Sequence, residues 1–154
     1  MNQNVNHVDH VVWVAEPDNH QRFVDKLSAL FDVEFEGPFE RTDMGITVSV
    51  SWGGGLEVVS PGATGPFSEK ARNHLDSRGE SVFAMIFGIP DIEKARARAE
   101  SLGYQTSPVI ENMGGEPWGH QLLSFKESAI EEFAGTLLLF GEITYPDGVF
   151  RTQQ

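Results

Sequence analysis

Two stretches of the chain repeat one local pattern, and that repeat narrows the possible folds more than any other feature. His10-Val-Val-Trp-Val-Ala-Glu-Pro-Asp18 and Ala84-Met-Ile-Phe-Gly-Ile-Pro-Asp91 each run an apolar strand into a Pro-Asp stop, the second one residue shorter. In the first half, Val8, His10, Val12 and Val14 alternate along residues 8–15, the period of a strand with one buried face. Asp18 with Gln21 three positions on predicts a capped helix to Phe31, with Phe23, Leu27 and Leu30 on its inner stripe. After a break at Gly37-Pro38, residues 46–52 and 56–60 read as a hairpin around Gly53-Gly54-Gly55. In the second half, residues 82–89 form a strand-length apolar run. Asp91 caps a helix carrying Ile92, Ala95, Ala99 and Leu102, and Gly103 stands at its C-cap. Further strands are expected at 104–110, 121–125 and 136–143, separated by the Gly/Pro-rich stretch 113–119 and the polar stretch 126–135.

Both halves thus read as strand, helix, then three strands, with modules at about 8–60 and 82–145. The connector 61–81 holds a short helix from Ser68, with Ala71 and Leu75 turned inward. A single module leaves the inner face of its sheet in water, which is the physical reason to pair two of them. The expectation is an α+β fold in which two tandem βαβββ modules pair into a cup-shaped mixed sheet, one domain over residues 1–154. A cup of this kind is where a small molecule binds.

Length and charge then limit the partners. With 154 residues, 40% of them apolar, the chain can bury a sizeable core but is short for two ordinary domains. Its 11 basic and 23 acidic side chains give a net charge of −12, the wrong sign for nucleic acid. The same field opposes anionic ligands such as coenzyme A thioesters, except where Lys70, Arg72 and Arg78 offset it locally. No apolar run reaches membrane-spanning length, and the first seven residues lack a signal-peptide pattern, so a soluble, cytoplasmic protein with no membrane partner is expected. Without cysteine, any metal must be held by histidine and carboxylate.

Few residues invite a chemical reading. His10 sits among valines, where a histidine is either hydrogen-bonded core or a functional group. Glu57 is a carboxylate in a short apolar strand and needs a partner, a solvated cup or an outward face. His120 follows Trp118-Gly119 and reads either as a cup residue or as a surface histidine after a turn. Trp13, Trp52, Trp118 and the phenylalanines are core by default, with Trp13 and Trp118 as candidate cup-lining residues. His7, His20 and His74 lie in polar segments and are expected to be solvated. The triple glycine lacks the Lys-Ser/Thr pair and following helix of a phosphate loop, and no serine has a nucleophile-elbow context.

The order of these elements, with Asp9-His10-Val11, Leu56-Glu57-Val58-Val59-Ser60-Pro61, and Arg78-Gly79 leading to Ile89-Pro90-Asp91-Ile92-Glu93, resembles the vicinal oxygen chelate superfamily (glyoxalases, bleomycin-resistance proteins and dioxygenases), nearest its methylmalonyl-CoA epimerase and glyoxalase-like branch. The similarity spans about residues 8–145. It implies the vicinal oxygen chelate fold and one divalent metal held by side chains of the first, fourth, fifth and eighth strands. His10 and Glu57 match the first two positions, whereas Ala84 and Leu139 fall on the other two and can donate nothing. A bulge at Gly141 would turn Glu142 inward, and His120 is the other candidate replacement. The resemblance therefore implies either zinc, iron, manganese, cobalt or nickel held by His10, Glu57 and one of His120 or Glu142, or no metal at all.

Two functions of different kinds follow from the resemblance. One is an isomerase, epimerase or lyase acting on a small oxygenated or carbonyl-bearing substrate, with His10 as ligand or catalytic group, Glu57 as ligand or proton-transfer base, and Trp13, Trp118 and His120 contacting substrate. The other is a metal-free binding or resistance protein that sequesters an aromatic or polycyclic compound. A homodimer is the assembly the family implies.

Overall fold

The computed structural model describes residues 3–111 and 121–149. Trp118, His120 and the Gly/Pro-rich stretch 113–119 lie outside the described residues. The elements are β1 (His7–Val14), a 3-10 turn (Pro17–Asn19), α1 (His20–Phe31), β2 (Glu36–Arg41), β3 (Ile46–Ser51), β4 (Leu56–Pro61), α2 (Pro66–Arg78), β5 (Ser81–Gly88), α3 (Ile92–Ser101), β6 (Ile110–Glu111), β7 (Ser124–Phe133) and β8 (Thr136–Thr144). Among the described residues no helix is long and apolar enough to cross a membrane. The chain divides into two compact units, one of residues Val11–Phe83 and one of Met1–His10 with Ala84–Gln154.

Within the Val11–Phe83 unit the strand order is β2-β3-β4-β1. β4 pairs antiparallel with β3 and parallel with β1, in the register Val12 to Glu57 and Val14 to Val59. The helix after β1 makes the parallel pairing possible, because a parallel neighbour needs a crossover. α1 lays Val24 and Leu27 on Ala15 and Val58, with Trp13, Phe23, Phe35 and Leu56 packed around them. Leu30, expected on the inner stripe, is exposed with Phe31 in the last turn of α1. The expected Asp18 capping arrangement is absent: Pro17–Asn19 forms a 3-10 turn and Asn19, without a side-chain cap bond, precedes α1. The break read at Gly37-Pro38 is the start of edge strand β2, where a cis peptide and a register shift accommodate the proline. The connector helix is α2, with Ala71 and Leu75 buried as expected.

The second unit repeats the order as β5-β8-β7-β6. β8 is parallel to β5 and antiparallel to β7, with Ile86 facing Leu139 and Gly88 facing Gly141. The repeat is exact enough to align residue by residue. The Ala15 amide donates to the Val59 carbonyl and the Ile89 amide to the Gly141 carbonyl, at 3.0 and 2.9 Å. Counting back from these bonds places Ala84 at the position of His10, and Leu139 at that of Glu57. Asp91 caps α3 by accepting from the Lys94 amide at 3.0 Å. The polar stretch 126–135, expected to separate two strands, is instead most of β7 and its turn. Ala134 and Gly135 both have positive φ, so the chain reverses in two residues from Phe133 to Thr136. Of the strand expected at 104–110, only its last residue falls in a strand, β6, while the Ser107 amide donates to the Ala129 carbonyl of β7 at 2.8 Å.

Candidate functional site

Side-chain alternation decides which of the expected residues can act together. In the Val11–Phe83 unit, the face that packs α1 carries Trp13, Leu56 and Val58, while Val12, Val14, Val48, Val50, Glu57 and Val59 share the opposite face. Glu57 is thus a half-buried carboxylate on a face of valines. Trp13 is not a cup-lining residue. Its ring lies 6.1 Å from that of Phe23 in the core beneath α1, because its odd position in β1 turns it to the helix side.

His10 belongs to the other unit, and there it meets residues that the sequence reading did not weigh. Its Nδ1 lies 2.8 Å from Asp9 Oδ1. A carboxylate only accepts, so Nδ1 carries the proton and Nε2 is the unprotonated nitrogen of the neutral ring. The same Asp9 Oδ1 accepts the hydroxyl of Tyr145 at 2.5 Å. On the far side of the ring, Nε2 stands 3.9 Å from Glu127 Oε1, too long for a hydrogen bond and close enough for charge pairing once the ring is protonated. Glu127 comes from β7, opposite Gly141, which in turn faces Gly88. Neither glycine carries a side chain, and the room above them is taken by the Asn4 carbonyl at Gly88 and by Ile86 and Ile143 at Gly141. The site is largely withdrawn from water, with side-chain exposures of 1% for Asp9, 16% for His10 and 15% for Glu127.

Glu142 is placed elsewhere. The register of β7 on β8 is unbroken at Gly141, and the bulge falls on β7 between Ala129 and Glu131. Glu142 therefore keeps to the face opposite Leu139, where Oε2 accepts the Ile92 amide at the start of α3, at 2.8 Å, and Oε1 lies 3.8 Å from Lys126 Nζ. Its charge complements the helix dipole there and is not presented as a metal ligand. Ala84 and Leu139, 4% and 8% exposed, fill the two other ligand positions implied by the resemblance. Among the described residues no group of three or more His, Asp or Glu side chains could hold a metal. These side chains do not fit the four-donor centre of the family.

Two of the histidines expected to be solvated are buried. His20 opens α1 with its ring between Ser60 Oγ at Nδ1 and Ser49 Oγ at Nε2, both at 2.8 Å, and burial holds it below the ordinary histidine range. His74 bonds Ser81 Oγ at 2.7 Å, and only His7 is exposed. Asp9, Glu127 and Tyr145 are the residues that sequence reasoning missed. Asp9 was visible as the neighbour of His10, whereas Glu127 required recognising residues 124–133 as a strand.

Comparison with known proteins supports the fold. No protein-family model matches the sequence, and no curated protein does. Among solved structures, methylmalonyl-CoA epimerase from Mycobacterium tuberculosis matches with a TM-score of 0.65 at 15% identity, over 94% of this chain and 92% of its own. A variant of Streptomyces coelicolor methylmalonyl-CoA epimerase in complex with 2-nitronate-propionyl-CoA matches at 0.66 and 14% identity, over 90% and 97%. A hypothetical protein from Bacillus halodurans matches at 0.64 and 14%, over 90% and 95%. The chain has the vicinal oxygen chelate fold, as the sequence resemblance implied.

Proposed function

We propose that this protein is an acid–base enzyme of the isomerase or epimerase type, which moves a proton on the carbon beside a carbonyl in a small substrate. The observation that carries this reading is His10, with Nδ1 held by Asp9 and Nε2 aimed toward Glu127. Neutral imidazole removes the acidic proton at Nε2: the C–H bond breaks, an N–H bond forms and the electron pair passes into the carbonyl as an enolate. The imidazolium so formed lies between the carboxylates of Asp9 and Glu127, which stabilise its charge in a site with little water. Return of the proton to carbon completes the cycle, and return to the opposite face inverts the centre. Glu57, half-buried on its valine face, is a second proposed proton-transfer group. Ala84 and Leu139 support a reaction that proceeds without a resident divalent metal, and the mechanism routes no step through one.

An acyl thioester is the first substrate class to test, because solved epimerases sharing the fold were crystallised with methylmalonyl-CoA and with 2-nitronate-propionyl-CoA. Proton NMR in deuterium oxide reads the exchange directly. Methylmalonyl-CoA and a panel of 2-substituted acyl thioesters and hydroxyketones should include a compound whose α-proton washes out with wild-type protein. His10→Ala should slow that exchange by at least about 100-fold, the usual scale of a general base. Exchange at an undiminished rate in His10→Ala would remove His10 from the mechanism. Tight binding of aromatic compounds with no exchange anywhere in the panel would favour the sequestering protein instead.

A further inference from the structure

We infer that Asp9 and Tyr145 form a buried positioning device that fixes the tautomer and the aim of the His10 ring, an inference that rests on the proposed role of His10 and deepens it. Asp9 Oδ1 is shared by two donors, His10 Nδ1 at 2.8 Å and the Tyr145 hydroxyl at 2.5 Å. Both supporting residues are buried, Asp9 to 5% and Tyr145 to 5% exposure. A buried carboxylate is costly unless it is satisfied, yet among the described residues Asp9 Oδ2 has no hydrogen-bond partner and no lysine or arginine pairs with the group. A structural core would be better served by an apolar side chain at this position. Retaining a carboxylate with one oxygen unmatched makes sense where the other oxygen orients a reacting ring, as the carboxylate of a serine-protease triad orients its histidine.

The hydroxyl of Tyr145 supplies the next link. It arrives from just beyond β8, 136 residues away in sequence from Asp9, and holds the same carboxylate oxygen that accepts from His10. With Tyr145 in place, Asp9 cannot rotate Oδ1 away from Nδ1 without breaking a short hydrogen bond. Without that restraint Nδ1 loses its fixed acceptor. An unheld imidazole prefers its proton on Nε2, the atom the mechanism needs unprotonated. Asp9 and Tyr145 touch neither substrate nor the reacting proton in this scheme, so their effect should fall on turnover rather than on substrate affinity.

Long-range proton–nitrogen NMR of the intact protein reads the tautomer of His10 directly, with His10→Gln identifying its signals. In wild-type protein the neutral ring should be protonated on Nδ1. Asp9→Asn keeps the size of the side chain and can present an amide donor to Nδ1, so the neutral ring should move its proton to Nε2. Tyr145→Phe removes one oxygen only and should leave a mixture of tautomers. On a substrate that exchanges, kcat should fall at least about tenfold in both variants with KM changed less than twofold, the pattern of a misplaced transition-state group. An Nε2-protonated ring in the wild type, or an unchanged Nδ1-protonated ring in Asp9→Asn and Tyr145→Phe alike, would overturn the inference. The two readings separate cleanly. Tautomer shifts without exchange in any substrate leave the positioning device standing and remove the enzyme, whereas exchange with unshifted tautomers does the reverse.

Discussion

At the scale of single residues, burial rather than local sequence decides what a histidine can do. His20 stands between Asn19 and Gln21, surroundings that read as solvent, yet Ser49 and Ser60 reach it from strands 29 and 40 positions away. Nothing near His20 in sequence announces those partners. Because its folded pKa is depressed by burial, the unfolded chain binds a proton that the native chain resists. Its contribution to stability is therefore present above about pH 6.5, the ordinary histidine value, and is lost as pH falls below it. Urea midpoints measured from pH 7.5 to 5 should fall for wild-type protein with a contribution of at most about 1.4 kcal/mol per pH unit from this group. In His20→Gln that part of the slope should vanish, whatever the variant costs at neutral pH. Parallel slopes would mean that His20 takes up its proton in the native state.

At the scale of elements, the sequence reading succeeded where the pattern is apolar and local and failed where charge masks a strand. The hairpin of β3 and β4 and the apolar run of β5 fall within a residue or two of expectation. β7 escaped because Lys126, Glu127, Glu131 and Glu132 suggest a solvated loop, and because an Ala-Gly turn is a weaker hairpin signal than Asn-Gly. That miss also hid Glu127. The two modules differ most sharply at one aligned pair: Val14 is fully buried, while its counterpart Gly88 has no room for a side chain. A Cβ on Gly88 would lie 1.4 Å from the Asn4 carbonyl oxygen, and the Gly88 carbonyl accepts the Asn6 amide at 2.8 Å. Gly88→Ala should therefore lift the segment at residues 4–6 off β5 and cost about 1–3 kcal/mol. Hydrogen exchange should show the Asn6 amide losing protection while amides of β7 and β8 keep theirs. Retained protection at Asn6 would contradict this packing.

At the scale of the whole molecule, the repeat made the fold legible and the departures from its ligand pattern made the chemistry legible only in part. His10, with its neighbour Asp9, and Glu57, Ala84 and Leu139 could be placed from sequence, whereas Tyr145 reaches Asp9, and Glu127 reaches His10, only through long-range strand pairing. The net charge of −12 adds a further expectation. If the substrate is a coenzyme A thioester, like-charge repulsion should slow encounter, and kcat/KM should rise between about 10 and 150 mM salt as the Debye length contracts from about 30 to 8 Å. The pantetheine thioester of the same acyl group, which lacks the nucleotide phosphates, should show a much smaller rise, and equal slopes for both would discard the electrostatic account. The homodimer implied by the resemblance belongs to the same proposal, and light scattering tests it against the 17.0 kDa monomer. The central claim is that the Asp9–His10–Glu127 arrangement performs proton transfer in a fold where two of the four metal-donor positions implied by the resemblance are taken here by Ala84 and Leu139. The most direct measurement is α-proton exchange by protein stripped with chelator, beside protein reloaded with zinc, cobalt or manganese. The account predicts equal exchange rates in the stripped and reloaded samples and loss of exchange in His10→Ala. Exchange that disappears on stripping and returns with a divalent metal would contradict it.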